Sequence, residues 1–305
     1  MAVNFDAHVE ATTASWDDPR KAIVVAADGS DRNRAAIEWA TLDAAATGRE
    51  LTLVTVIDDN PAPVPHFSRR SHEYDAKQLL GELAETAQQT LPAHQVHTEV
   101  VAGSPVECLL DRSAKDGILV LGKRGLGTFT RIILGSTSTA VAARSRVPVA
   151  IIPDGWRQTD HASAPVVVGI DPDDPIQLPL GYAFGVARRR GVPVVAVHAW
   201  EVPAPYDPKP GTPIDDPSHW ERESAHALAG HLDHWRSRFE DVELRPLHTR
   251  GDAAMALLNA ASDAQLLVLG RQHRDGKLDG FAFGSVAHAV LHYTECPTVV
   301  LPTDL

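Results

Sequence analysis

At 305 residues the chain is about twice the length of a usual single domain, so two domains are the first expectation. Its 44% hydrophobic and 22% charged residues are ordinary globular values and exclude wholesale disorder. With 28 Lys plus Arg against 40 Asp plus Glu, the net charge is -12 and no basic stripe interrupts it, which disfavours nucleic acid as a partner but leaves room for a local anion site. Cys108 and Cys296 form no CxxC and no disulfide framework, and both are expected as buried small apolar residues. The opening MAVNFDAHVEATTASWDDPR lacks the basic and apolar regions of a signal peptide, and no run approaches the ~18 apolar residues of a membrane span. A soluble, cytoplasmic protein with a flexible arm over residues 1–20 is the expectation.

In chain order, the first element is the apolar run AIVVAAD (22–28), which ends in Asp28. Ala36, Ile37, Ala40 and Ala44 then follow helical spacing over roughly 32–47, and Gly48 ends that helix. LTLVTVID (51–58) is the second strand. The Pro-rich NPAPVP (60–65) suggests a lid or interface, and a longer helix follows over 71–91. VVAGSP (100–105), ILVLGKRG (118–125) and VPVAIIP (147–153) complete the set. These strands are continuously apolar rather than alternating, as in a parallel sheet covered on both faces.

The pattern is then written again. VVVGID (166–171), PVVAVHAW (193–200), HTRGDA (248–253), LLVLGRQH (266–273) and CPTVVLP (296–302) repeat it in order, with a helix over 218–239 and a Pro-rich stretch over 201–213. Gly103 and Gly122 recur 148 residues later as Gly251 and Gly270, and Pro153 recurs 149 later as Pro302. A nearly constant offset is the mark of tandem duplication. The expected fold class is α/β: two tandem doubly wound five-strand parallel-sheet sandwiches, Rossmann-like, over residues 21–153 and 165–305, joined by a linker at 154–164.

An open parallel sheet binds ligands at the carboxyl ends of its strands. The front half places Asp28-Gly29-Ser30, Val56 to Asp59, Gly103-Ser104 and a glycine-rich loop there. That loop runs from Gly122 through Gly125 and Gly127 to Gly135-Ser136-Thr137-Ser138. Glycine lets a backbone approach a ligand or take a positive φ, and free N–H groups at a helix start favour a phosphate. The plainer alternative makes Ser136 an N-cap and the glycines mere turns. No GxxxxGK[ST] is present and no GxGxxG follows the first strand, which excludes a P-loop and disfavours a dinucleotide.

Taken together, these residues resemble the universal stress protein family, specifically its tandem-domain members. ATP-binding members carry Gly-x2-Gly-x9-Gly-Ser/Thr after the fourth strand, and Gly122, Gly125, Gly135 and Ser136 match it with residues 126–134 in the gap. Asp28 matches the family's Asp at the end of strand one and Val56 its apolar residue near the end of strand two. The resemblance implies ATP as ligand, with Mg. Asp28 and the Val56 backbone would hold the adenosine, Gly122 would lie by the ribose with Leu121 beside it, and Gly125, Gly135, Ser136 and Thr137 would surround the phosphates. It further implies association through the last strands, as a homodimer or an intrachain pseudo-dimer, and a protein partner of unknown kind. Lys123 and Arg124 are expected to be solvated or interfacial, with help in neutralising the phosphates as the alternative.

The back half departs from the motif. His273 stands where the second glycine would be, and ten residues instead of nine precede Gly284-Ser285. Pro172 removes an N–H, and Asp173 and Asp174 add charge that repels a polyphosphate. Asp171, Ala199, Gly270, Gly284 and Ser285 are therefore expected to form a weaker second site. The pairs His231/His234 and His288/His292 fix no third metal ligand, and Trp39 and Trp235 are expected to pack. Arg188-Arg189-Arg190 is expected to close a helix. The expected function is an ATP-binding regulatory or stress-response protein with slow or no hydrolysis. An ATP-using hydrolase or adenylating enzyme, or a nucleotide-free scaffold, is the alternative. No general base aimed at a γ-phosphate is evident in the chain.

Overall fold

The computed structural model describes residues 21–58, 66–113, 117–124, 134–172, 177–201, 217–271 and 284–302. The expected N-terminal arm, the Pro-rich stretches within 59–65 and 202–216, and the glycine-loop segments 125–133 and 272–283 lie outside the described residues.

The front half contains β1 (Ile23–Ala26), α1 (Arg34–Thr47), β2 (Leu51–Ile57), α2 (His66–Ala87), β3 (Val96–Ala102), α3 (Pro105–Ser113), β4 (Ile118–Gly122), α4 (Ser136–Arg144) and β5 (Val149–Ile152). The back half repeats the order with β6 (Val166–Gly169), α5 (Gln177–Arg190), β7 (Val194–Trp200), α6 (Pro217–Arg238), β8 (Leu244–Arg250), α7 (Ala253–Ala261), β9 (Leu266–Arg271), α8 (Ser285–Tyr293) and β10 (Thr298–Pro302). Gly48 ends α1 at φ 70, a left-handed value that a side chain disfavours, and its N–H closes on Ala44 O.

The expected doubly wound halves are present, and they are fused into one ten-stranded sheet of order β3-β2-β1-β4-β5-β10-β9-β6-β7-β8. Neighbours within each half are parallel. β5 and β10 run antiparallel, with Val299 opposite Ala150 and Thr298 opposite Ile151. Two strands that would each expose an unpaired edge thereby satisfy one another. Of the outer edges, β8 carries Pro246, which cannot donate to a further strand.

The two faces of the sheet are built differently. On one, α1, α2, α5 and α6 cover a single core that runs across both halves, from Ile23, Trp39 and Leu80 to Phe184, Leu232 and Trp235. On the other, α3 and α4 enclose one cluster and α7 and α8 another, although Leu291 and Val300 of the back half reach into the front cluster. Trp39 and Trp235 pack as expected, the latter stacked on Phe184 at 5.8 Å.

Polar contacts lock the seam. Arg190, the last residue of α5, lies 3.6 Å from Asp43 of α1 and donates to Gln265 Oε1 at 2.9 Å. Gln265 is fully buried; its Oε1 also accepts from Gln158 Nε2 at 2.8 Å, and its Nε2 donates to Ala164 O. The segment joining the halves is thus tied down, and Trp156 stacks on His161 within it at 3.9 Å. No described helix is long and apolar enough to cross a membrane.

Because one core and one sheet serve both halves, the chain should unfold in a single thermal transition by calorimetry. Gln265→Ala, which strands several buried polar groups, should lower stability by about 2–3 kcal/mol and still leave one transition. Two separated transitions would contradict a shared core.

Candidate functional site

In the front half, β1 lies between β2 and β4, so the chain leaves β1 in one direction and later returns to its other side. Loops diverge at such a point and leave a crevice at the carboxyl ends of the strands. A cavity of about 500 Å³ occupies it, within the ~300–1,000 Å³ range of small-ligand sites. Its floor is the ends of β1, β2 and β4, with Ala26, Val54, Val56 and Leu121. Its walls are the starts of α3 and α4, with Pro105 and Leu109 opposite Gly135, Ser136 and Thr137. Of the front residues singled out from sequence, Asp28, Val56, Leu121, Gly122, Gly135, Ser136 and Thr137 all line this one cavity. Gly125 lies outside the described residues.

Asp28 is half-buried at the end of β1. Its Oδ1 accepts from the Ser30 N–H at 2.9 Å and the Ser30 hydroxyl at 2.8 Å, which fixes the carboxylate in place. At α4 the cap is Gly135, with φ -67 and no side-chain cap bond, so Ser136 is not the N-cap. The first intrahelical bond runs from Thr139 N–H to Gly135 O at 2.9 Å, so the amides of Ser136, Thr137 and Ser138 precede it and have no partner within the helix. Such amides, with the helix dipole behind them, suit an anion. Ser138 is buried and donates its hydroxyl to Gly122 O at 2.8 Å, clamping the helix start to the end of β4.

Of the two roles open to Gly122 and Gly135, close approach or a positive φ, the second is not used at either position. In this part of the fold the left-handed glycines are Gly29 at φ 79 and Gly103 at φ 143, where the backbone turns away from β1 and β3. Gly122 is instead a close-approach position: a Cβ there would lie 3.1 Å from Arg124 O and 3.3 Å from Asn33 Nδ2. At Gly135 the nearest atom to an added Cβ is Lys123 O at 3.4 Å, an ordinary contact.

Sequence reasoning missed Asn33. It is 4% exposed, and its Nδ2 donates to Ala26 O at 2.9 Å, which fixes the orientation of the amide. Its Oδ1 lies buried without a hydrogen-bond partner, on a residue of the cavity wall. A buried acceptor left unmet costs about 1–3 kcal/mol, a cost that Asn33 carries beside the cavity. The available signal was an Asn immediately before a helix and five residues after Asp28. By sequence alone it reads as a helix-start residue.

Lys123 and Arg124 part company. Lys123 is buried and its Nζ donates to Thr294 O at 2.6 Å, at the carboxyl end of α8 in the other half. Arg271, at the equivalent place as the last residue of β9, donates to Ser145 O at 2.7 Å, at the end of α4. Each half thus sends a cation from the end of its fourth strand to a helix carboxyl end of the other, where the dipole favours it. Arg124 lines the cavity. Burial, reinforced by Arg124 and opposed by Glu295 and Asp154, pushes the Lys123 ammonium down to about 8.

In the back half Asp171 is exposed, Ala199 and Gly270 are partly buried, and Gly284 caps α8 without a side-chain bond ahead of an exposed Ser285. Ala287 occupies the place of Ser138, so the hydroxyl clamp is lost. His273 lies outside the described residues. Where Thr55 donates to Ala27 O in the front half, His198 Nδ1 donates to Ile170 O at 3.1 Å, and its Nε2 lies at hydrogen-bond distance, 2.7 Å, from Ser224 Oγ. His248 Nε2 completes that chain at 3.0 Å from Ser224 Oγ, and burial, ahead of His198, holds its imidazole below the usual range. Among the described residues no three His, Cys, Asp or Glu groups gather to hold a metal ion. Cys296 is buried as expected, its thiol pushed up by burial, whereas Cys108 is partly exposed beside Gly103.

Fold and cavity together define a duplicated α/β protein of the doubly wound type with a crevice at a switch point. The universal stress protein family model matches residues 19–153 and again 163–302, and the chain belongs to that family, as two copies in tandem. Universal stress proteins of Mycobacterium bovis and Mycobacterium tuberculosis are each 34% identical over 293 residues, covering 92% of this chain and 98% of theirs. The crystal structure of a universal stress protein from Archaeoglobus fulgidus superposes with a TM-score of 0.68 at 20% identity, covering 93% of this chain and 96% of that one, a likeness of fold.

Two expected outcomes follow from the geometry. Gly122→Ala should cost about 1–2 kcal/mol in denaturant titration because Arg124 or Asn33 must move. Gly135→Ala should stay within about 0.5 kcal/mol, since a poorer cap is offset by a less flexible unfolded chain. The Lys123 ammonium is near 8 in the fold and 10.5 in the reference state, so the unfolded chain holds more protons between those values. Stability contributed by this residue should therefore rise as pH climbs from about 8 to 10.5, and the rise should be absent in Lys123→Met.

Proposed function

We propose that the protein is a nucleotide-responsive regulator of the stress response that binds ATP, with Mg, in the front cavity. The single observation that carries this reading is the convergence of Asp28, Val56, Gly122 and the amides at the start of α4 on one crevice. The Asp28 carboxylate would accept from donors of the adenosine, Val56 and Leu121 would flank its apolar faces, and the amides of Ser136, Thr137 and Ser138 would meet phosphate. The metal would enter bound to the polyphosphate, whose charge it offsets.

Binding rather than turnover is the favoured activity. Among the described residues the titratable side chains of the cavity are Asp28, Arg32 and Arg124, and Asp28 is already engaged by Ser30. None is arranged as a base toward an attacking water. The back half, without the Ser138 clamp and with an exposed Asp171, is the weaker or silent site. In this account the fused sheet makes one chain its own pseudo-dimer, acting in the cytoplasm on a protein partner through nucleotide occupancy.

Mass spectrometry of freshly purified protein should find adenine nucleotide, and calorimetry should find one ATP per chain. Gly135→Ala, which spares the fold, should weaken that binding at least about tenfold by placing a methyl at the anion cradle. Two equal sites, or unchanged affinity in the variant, would reject the assignment.

A further inference from the structure

The front cavity has a charged flank that its backbone cradle does not explain. Arg32 and Arg124 are its basic lining residues, and both lean toward one carboxylate beyond the wall. Arg124 Nη2 lies 3.0 Å from Asp154 Oδ2, and Arg32 Nε lies 3.9 Å from the same oxygen. Asp154 follows β5 and Pro153 directly, and it lines a second cavity of about 830 Å³ between the halves. Arg124 lines both cavities, so the ion pair stands in their shared wall. The pairing is incomplete: Arg124 Nε and Asp154 Oδ1 are buried atoms with no hydrogen-bond partner. A guanidinium presents its donors as a fork matched to two oxygens of one carboxylate or phosphate, and the Arg124 fork is unfilled on one side.

We propose that Arg32 and Arg124 are an anion clamp for the phosphate end of the ligand, and that Asp154 is the carboxylate which phosphate displaces from them. The inference rests on reading the cavity as a nucleotide site and names the charge selectivity of that site. Asp154 holds both arginines in place but cancels part of their charge. A singly charged anion gains little by replacing it, whereas a polyphosphate brings more charge and more acceptor oxygens to the same forks. Displacement has a direct structural consequence. Asp154 opens the segment in which Trp156 packs on the shared core and Gln158 bonds Gln265, so freeing its carboxylate is felt at the second cavity, where Lys123 and Thr294 tie the halves together. Occupancy at the front is thereby reported at the seam.

The test is calorimetric titration of ATP, adenosine and inorganic tripolyphosphate into the wild type and into Arg32→Gln, Arg124→Gln and Asp154→Asn. Both arginines are about 40% exposed as side chains, so these replacements leave the core intact, which circular dichroism checks. Each arginine variant should weaken ATP and tripolyphosphate by about tenfold or more and leave adenosine within about twofold. Asp154→Asn should tighten both anions by about three- to tenfold, because the competitor for the clamp is gone, and should leave adenosine unchanged. Weaker ATP binding in Asp154→Asn would overturn the proposal, as would arginine variants that change ATP and adenosine alike. Arginine-dependent binding of tripolyphosphate with no binding of adenosine would uphold the clamp while rejecting the nucleotide reading. Wild type that binds neither anion would overturn the clamp.

Discussion

The antiparallel pairing of β5 with β10 is the contact on which the rest of the molecule depends. Each half of the sheet would otherwise end in a short, fully apolar strand with an open edge, and the two edges close on each other with Val299 opposite Ala150. Once they are joined, the helices α1 and α5 meet over the seam, so that Asp43, Arg190 and Gln265 can form one buried network. The reciprocal reach of Lys123 to Thr294 and Arg271 to Ser145 follows from the same pairing, because it sets the end of each fourth strand beside the last helix of the other half. The cavities stand beside that seam. The residue after Gly122 is a strut of the interface, and the next one, Arg124, lines the cavity.

Duplication followed by divergence accounts for the inequality of the halves. Both retain the strand order that opens a crevice, and both start their last helix with a glycine cap. The front keeps Ser138 on Gly122 O and Asp28 in its turn with Ser30. The back replaces the serine with Ala287 and has built instead a buried chain from Ile170 O through His198 and Ser224 to His248. Interior polar groups have been moved there from the helix start to the α6 side of the sheet.

Much of the fold was legible because its signals are local. Continuous apolar runs such as ILVL at 118–121 mark strands covered on both faces, and Gly48 marks the end of α1 through its own φ. The Asp28, Gly122 and Gly135 positions were legible as a spaced motif, although the reason for Gly122 was not: close approach to Asn33 and Arg124 is a property of packing, not of spacing. Asn33 escaped notice because its burial depends on a carbonyl of β1 and its orphaned oxygen on the cavity wall. Lys123 was expected to be solvated or interfacial, and what the sequence left open was the contact it makes. Its partner lies 171 residues away, across a seam that no local pattern encodes.

The central claim is that one crevice, in the front half, takes the nucleotide. Hydrogen–deuterium exchange with and without ATP tests it most directly, because the amides in question have no partner inside a helix. The account predicts slowed exchange on ATP addition at Ser136 to Ser138 and at Ser30 to Asn33, with the start of α8 at Ser285 to Ala287 unchanged. Equal slowing at both helix starts, or none at α4, would contradict it.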